Sequence, residues 1–111
     1  MTNEEPTAIR IIRAGNGQVR AVPSPAQLLR KQEFLMKNWT DCPANADFTD
    51  VPVDPTKKSI DPGGEARFVV KEDAPYGYYE YDVTLACSDR NGKPVEQYVE
   101  GGSRPGLIID R

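Results

Sequence analysis

The 111-residue chain is the length of one domain, with 38% hydrophobic residues against a globular norm of roughly 45–50%, ten prolines, nine glycines and a net charge of −3. That composition points to a thin core with many chain breaks, and it excludes a helical bundle. Residues 1–40 carry +3 and residues 41–111 carry −6; with no basic cluster interleaved with aromatics, this argues against nucleic-acid binding.

Residues 1–7 read as a flexible tail and residues 8–111 as a single domain. The first eight residues are polar and acidic, unlike a secretory leader, and no apolar run approaches a membrane span of roughly 20 residues. The expectation is a cytoplasmic protein with no membrane attachment. Ala8 to Arg13 is β-branched and predicts a strand. Gly15-Asn16-Gly17 is a turn signal. Gln18 to Leu29 contains Pro23 and Pro25, which allow an edge strand or a strand that breaks and crosses between sheets.

Glu33 to Trp39 predicts the next strand, with Phe34, Met36 and Asn38 on one face. A helix over residues 25–36 competes with it, since Leu28, Leu29, Phe34, Leu35 and Met36 suit an apolar stripe. Residues 40–61 read as one long loop rich in Asp, Pro, Asn and Thr, long enough to carry function. Within it, Asp47, Asp50 and Asp54 with Asn45 offer oxygens to a hard cation. They lack the Asp-x-Asp-x-Asp-Gly spacing of a calcium loop, and a solvated turn-rich segment is the simpler reading.

Residues 59–64 form a turn, and Ala66 to Lys71 is a strand. After a turn at residues 74–77, Tyr78 to Cys87 alternates cleanly as one half-buried strand. Tyr79 and Tyr81 fall on the core side, and Tyr76 and Tyr78 near the surface. Asn91-Gly92 predicts a type I′ hairpin into residues 95–99, with Pro94 delaying the second arm. Residues 101–106 are a loop, and Leu107 to Ile109 closes the chain. Seven or eight short strands imply an all-β, two-sheet antiparallel Greek-key sandwich.

The order of these motifs resembles the cupredoxin fold. The matching pieces are the proline-bearing second strand at Val22-Pro23-Ser24-Pro25, the third strand ending at Asn38 and the Pro62-Gly63 turn. Gly77, Tyr79 and Tyr81 then match a Gly-x-Tyr-x-Tyr element, and Leu107 to Ile109 matches the short final strand. An immunoglobulin-like sandwich is the alternative. Copper sites of the resembled kind need two histidines, a cysteine and usually a methionine. This chain has no histidine, and Val83 falls near the family's cysteine position. The resemblance therefore implies the scaffold without the copper, and no other cofactor is expected.

In that fold Cys42 and Cys87 follow strands running to the same end. Two unrelated thiols in a reducing compartment are the simplest reading. A disulfide, or a soft-metal site completed by a dimer, are the alternatives, and a cysteine-based redox role goes with them. Trp39 reads as core or rim packing. Catalysis is poorly supported, because a hydroxyl or thiol nucleophile finds no histidine base and no carboxylate pair is placed by sequence. The expectation is a non-catalytic binding domain for a protein or small-molecule partner. Tyr76, Tyr78, Asp50 and Arg104 are its candidate contact residues, and a homodimer through an edge strand is compatible with the pattern.

Overall fold

A computed structural model of the chain describes residues 7–101 and 103–111. The tail expected at 1–7 lies outside these residues except for Thr7, which already belongs to the first strand. The expected loop at 101–106 includes residue 102, which also lies outside them.

β1 (Thr7–Arg13) alternates as its β-branched residues dictate, with Ile9 and Ile11 buried. β2 (Val19–Val22) pairs antiparallel with it. Pro23 and Pro25 lack N–H donors and cannot continue a ladder, so the chain leaves this sheet there. β3 (Ala26–Leu29) then joins a different sheet. The break-and-cross reading of residues 18–29 is the one observed.

The competing helix over 25–36 is not formed. Lys31 takes a positive φ of 65°, and the Gln32 side chain accepts from the Leu29 N–H, turning the chain sharply into β4 (Glu33–Asn38). β4 runs parallel to β1 and buries Phe34, Met36 and Asn38.

Residues 40–61 are not one loop. They contain β5 (Ala44–Asp47), β6 (Val53–Asp54) and β7 (Lys57–Ile60). Ala44, Ala46, Val53 and Ile60 point inward, and Phe48 is fully buried between them. β8 (Glu65–Val70) pairs with β4 and β6.

The expected strand at 78–87 is divided. β9 (Gly77–Glu80) and β10 (Asp82–Ser88) meet at Tyr81 and pair with different partners. β11 (Pro94–Tyr98) forms a hairpin with β10, and β12 (Gly106–Asp110) lies between β3, to which it is parallel, and β9. The hairpin turn is not type I′, since Gly92 adopts a positive φ (77°) and Asn91 does not. Instead the Asp89 carboxylate accepts from the N–H groups of Asn91 and Lys93, and Gly92 N donates to Asp89 O. This is a three-residue loop with glycine in the left-handed position.

The architecture is all-β. Three sheets run β2-β1-β4-β8-β6, β11-β10-β5-β7 and β3-β12-β9. Among the described residues, twelve strands in two mixed sheets and one antiparallel sheet stand where seven or eight strands in two antiparallel sheets were expected. The Tyr81 division, the proline break and the strands hidden in 40–61 account for the difference. One buried cluster takes side chains from all three sheets.

Its centre is aromatic. Phe48 lies 4.7 Å from Tyr81 and 4.9 Å from Phe68, and Phe34 stacks on Phe68 at 5.4 Å. The Tyr81 hydroxyl is buried and has no hydrogen-bond partner among the described residues. Burial, and then the charge of Glu100, push its pKa well above the ordinary tyrosine value. A buried hydroxyl without a partner carries its desolvation cost with no compensation. Tyr81→Phe should therefore leave stability unchanged or raise it by up to about 1 kcal/mol. Urea unfolding checks this, and a loss of stability would show that the hydroxyl is satisfied.

Candidate functional site

Cys42 and Cys87 form a disulfide, with Cα atoms 5.2 Å apart. The reading of two unrelated thiols is overturned. Sulfurs bonded to each other also offer no thiolate to a soft metal. The bond ties the segment after β4 to the C-terminal end of β10, which the antiparallel β5–β10 pairing brings alongside. Arg13, at the end of β1, places its Nη2 3.7 Å from Cys87 Sγ and 3.9 Å from Cys42 Sγ, and 3.5 Å from Asp41 Oδ1. Trp39 is 59% exposed, so it belongs to the rim and not the core. The Arg10 guanidinium lies 5.0 Å from its ring centre.

Tyr76 and Tyr78 are exposed, as their position in the alternation implied. The outward face of β3-β12-β9 carries Gln27, Ile108 and Tyr78 in one row across the strands. The Tyr78 ring covers Gly106, where an added Cβ would fall 2.6 Å from ring atoms. The small residue at 106 is what lets the ring lie flat on the sheet. Tyr76 has the Arg30 guanidinium 4.0 Å from its ring centre and that of Arg111 at 5.4 Å. Arg30 is itself fixed by donating from Nε to Ala74 O at 2.7 Å.

Glu80 is two residues beyond Tyr78 on the same side of its strand and lies 3.9 Å from Arg104. Arg104 grips Asp82 with a two-pronged contact of 3.0 and 3.2 Å. That hydrogen bonding, with the surrounding carboxylates, raises the guanidinium pKa further. Arg104 thus connects the tyrosine face to the neighbouring sheet. Asp50 does not join it. Asp50 sits in a tight turn with φ 65°, in a shallow groove beside Lys71, Pro75 and Tyr79.

The acidic residues of 45–54 do not gather into a cation site. Asn45 and Asp47 point outward from β5, Asp50 occupies its turn and Asp54 ends β6. Among the described residues, no three His, Cys, Asp or Glu side chains are grouped to hold a metal. The Asp47 carboxylate accepts from the Thr49 hydroxyl and N–H, which holds its pKa below the ordinary value. Among the described residues no helix is long and apolar enough to cross a membrane.

Sequence reasoning missed the outward face of β11-β10-β5-β7. There Asn45, Asp47, Lys57, Asp82, Thr84 and Tyr98 line a groove of about 410 Å³. Only the alternation of Tyr78 to Cys87 hinted at it, by placing Asp82 and Thr84 on a polar side. No protein-family model and no curated protein matches this sequence.

Proposed function

We propose that the chain is a non-catalytic binding domain on a metal-free cupredoxin-like scaffold, contacting a partner through Tyr76, Tyr78 and Arg104. The observation that carries this is the fixed aromatic pair. Tyr78 is spread over the Gly106 backbone and Tyr76 is held beside two guanidinium groups, while both rings face solvent. Large exposed rings that are already immobilised lose little entropy on docking, and such rings dominate interface energies. Asp50, on a separate groove, drops out of the contact set.

The scaffold reading is supported by the path of the chain. Two prolines divide β2 from β3, which lie in different sheets, and β4 returns parallel to β1. Val83, near the family's cysteine position, is a core residue beside Leu85. The disulfide suits an oxidising compartment better than the cytoplasmic one expected from the N-terminus. A cysteine-based redox role is the second reading, favoured by the Arg13 guanidinium, which would stabilise a thiolate released from either sulfur.

Cross-linking in the source cells followed by mass spectrometry tests the first reading. The wild-type chain should retain a partner that Tyr76→Ala/Tyr78→Ala loses, with no change in unfolding midpoint. Retention of every partner by the double variant would sink it. If the captured partner is a second copy of the chain, sedimentation will show a dimer that the double variant lacks.

A further inference from the structure

We propose that the groove on the outward face of β11-β10-β5-β7 binds a neutral polyhydroxylated ligand, an oligosaccharide laid across the strands. The inference rests on reading the chain as a binding domain, but it uses a different face from the tyrosine pair.

Register aligns the groove residues in two rows. Tyr98, Thr84, Asn45 and Ser59 lie side by side on four adjacent strands. Three inter-strand steps make this row roughly 14 Å long. The second row is Asp82, Asp47 and Lys57, continued by Arg104 at its Asp82 end. Ser59 donates to Asn45 Oδ1 at 3.0 Å, which occupies the amide oxygen and leaves Nδ2 as the donor that this lining residue can offer a ligand. Tyr98, at the end of the first row, is 55% exposed and offers a ring face.

Charge and polarity select the ligand class. An anion would meet Asp47 and Asp82, and a cation would meet Lys57, Lys58 and Arg104. Arg104 takes both oxygens of Asp82, whereas Thr49 takes only Oδ1 of Asp47 and leaves Oδ2 as an acceptor. An apolar ligand would strip water from both rows without returning hydrogen bonds. Sugar hydroxyls donate and accept at once, so neighbouring hydroxyls can bridge a donor such as Asn45 Nδ2 and an acceptor such as Asp47. The C–H face of a sugar ring suits the Tyr98 ring. All these side chains except Arg104 stand on or beside paired strands, so the site is formed before the ligand arrives.

The test is an amide-shift titration of the folded protein with cellohexaose, chitohexaose and maltohexaose, with a sulfated heparin hexasaccharide and inorganic phosphate as anionic comparisons. At least one neutral oligosaccharide should shift amides on β5, β7, β10 and β11. Tyr98→Ala should weaken that binding about tenfold, the scale of one lost aromatic platform, and Asn45→Ala should weaken it as well. The proposal is overturned if no neutral oligosaccharide shifts these amides at millimolar concentration, or if only the anions do, or if Tyr98→Ala and Asn45→Ala bind as the wild type does. Tyr76→Ala/Tyr78→Ala separates this inference from the proposed function. It should leave the sugar shifts intact, so either reading can fail without the other.

Discussion

Removing the Cys42–Cys87 bond should cost the protein about 4 kcal/mol and lower its unfolding midpoint by roughly 15–25 °C. The two cysteines are 45 residues apart. Loop-closure entropy for a crosslink of that span gives this figure, and the total stability of a domain is only about 5–15 kcal/mol. The segment it anchors is also poor in large apolar side chains. Between Asn38 and Phe48 the inward residues are Thr40, Cys42, Ala44 and Ala46. Each of these small residues buries little area, so the covalent tie replaces packing that the sequence lacks. Cys42→Ala/Cys87→Ala, and wild type with reductant, should both show the lowered midpoint. Thiol titration of the denatured, unreduced chain should find no free thiol. An unchanged midpoint would remove the staple role. If glutathione opened the bond in the folded protein without altering the midpoint, the redox reading would gain in its place.

How far the sequence discloses this fold depends on where each strand finds its partner. Ala8 to Arg13, Glu33 to Trp39 and Ala66 to Lys71 are rich in large apolar and β-branched residues, and strands lie within a residue or two of these bounds. The missing N–H donors of Pro23 and Pro25 narrowed the reading to an edge strand or a strand that changes sheets, and the second is observed. β5, β6 and β7 were not legible. Their inward residues are mostly small, and their outward ones, such as Asn45, Asp47, Lys57 and Ser59, are turn-formers by composition. Their strand character comes from pairing: β5 with β10 and β6 with β8, both later in the chain, and β7 in turn with β5. Tyr81 was placed correctly in the core, but not as the point where one strand becomes two. That division is fixed by β12 on one side and β5 on the other.

The candidate site divides in the same way. Exposure of Tyr76 and Tyr78 followed from period-two alternation. The match of Tyr78 to Gly106, and the grip of Arg104 on Asp82, join residues more than twenty positions apart and leave no local mark. The pairing of Cys42 with Cys87 was open for the same reason, since connectivity belongs to the fold. The groove of β11-β10-β5-β7 needed three registers at once, one of them in a segment that reads as a loop.

Asn38→Ala should destabilise the protein by about 3–5 kcal/mol, more than most single substitutions. Asn38 is fully buried. Its Nδ2 donates to Cys42 O at 2.8 Å and Ile60 O at 3.0 Å, and its Oδ1 accepts from Thr40 N at 3.0 Å and Thr40 Oγ1 at 2.7 Å. One amide thus satisfies two carbonyls, an N–H and a hydroxyl where three chain segments meet. Its backbone also exchanges bonds with the 62–64 turn. Truncation strands buried polar groups at about 1–3 kcal/mol each, with partial relief if water enters. Asn38→Asp keeps the acceptor but points a carboxylate at two carbonyl oxygens. Burial and those carbonyls should raise the folded-state pKa of the new acid above its unfolded value. The penalty of the charge is then small below the unfolded pKa, about 3.9, and grows as pH rises towards the raised folded value. Asn38→Asp should therefore be at least as unstable as Asn38→Ala at neutral pH and recover relative to it near about pH 4. Urea unfolding of both variants at the two pH values measures this. Equal pH dependence of the two would mean that the amide is not the donor to Cys42 and Ile60, and the cause of the loop's fixed path would have to be sought in the disulfide alone.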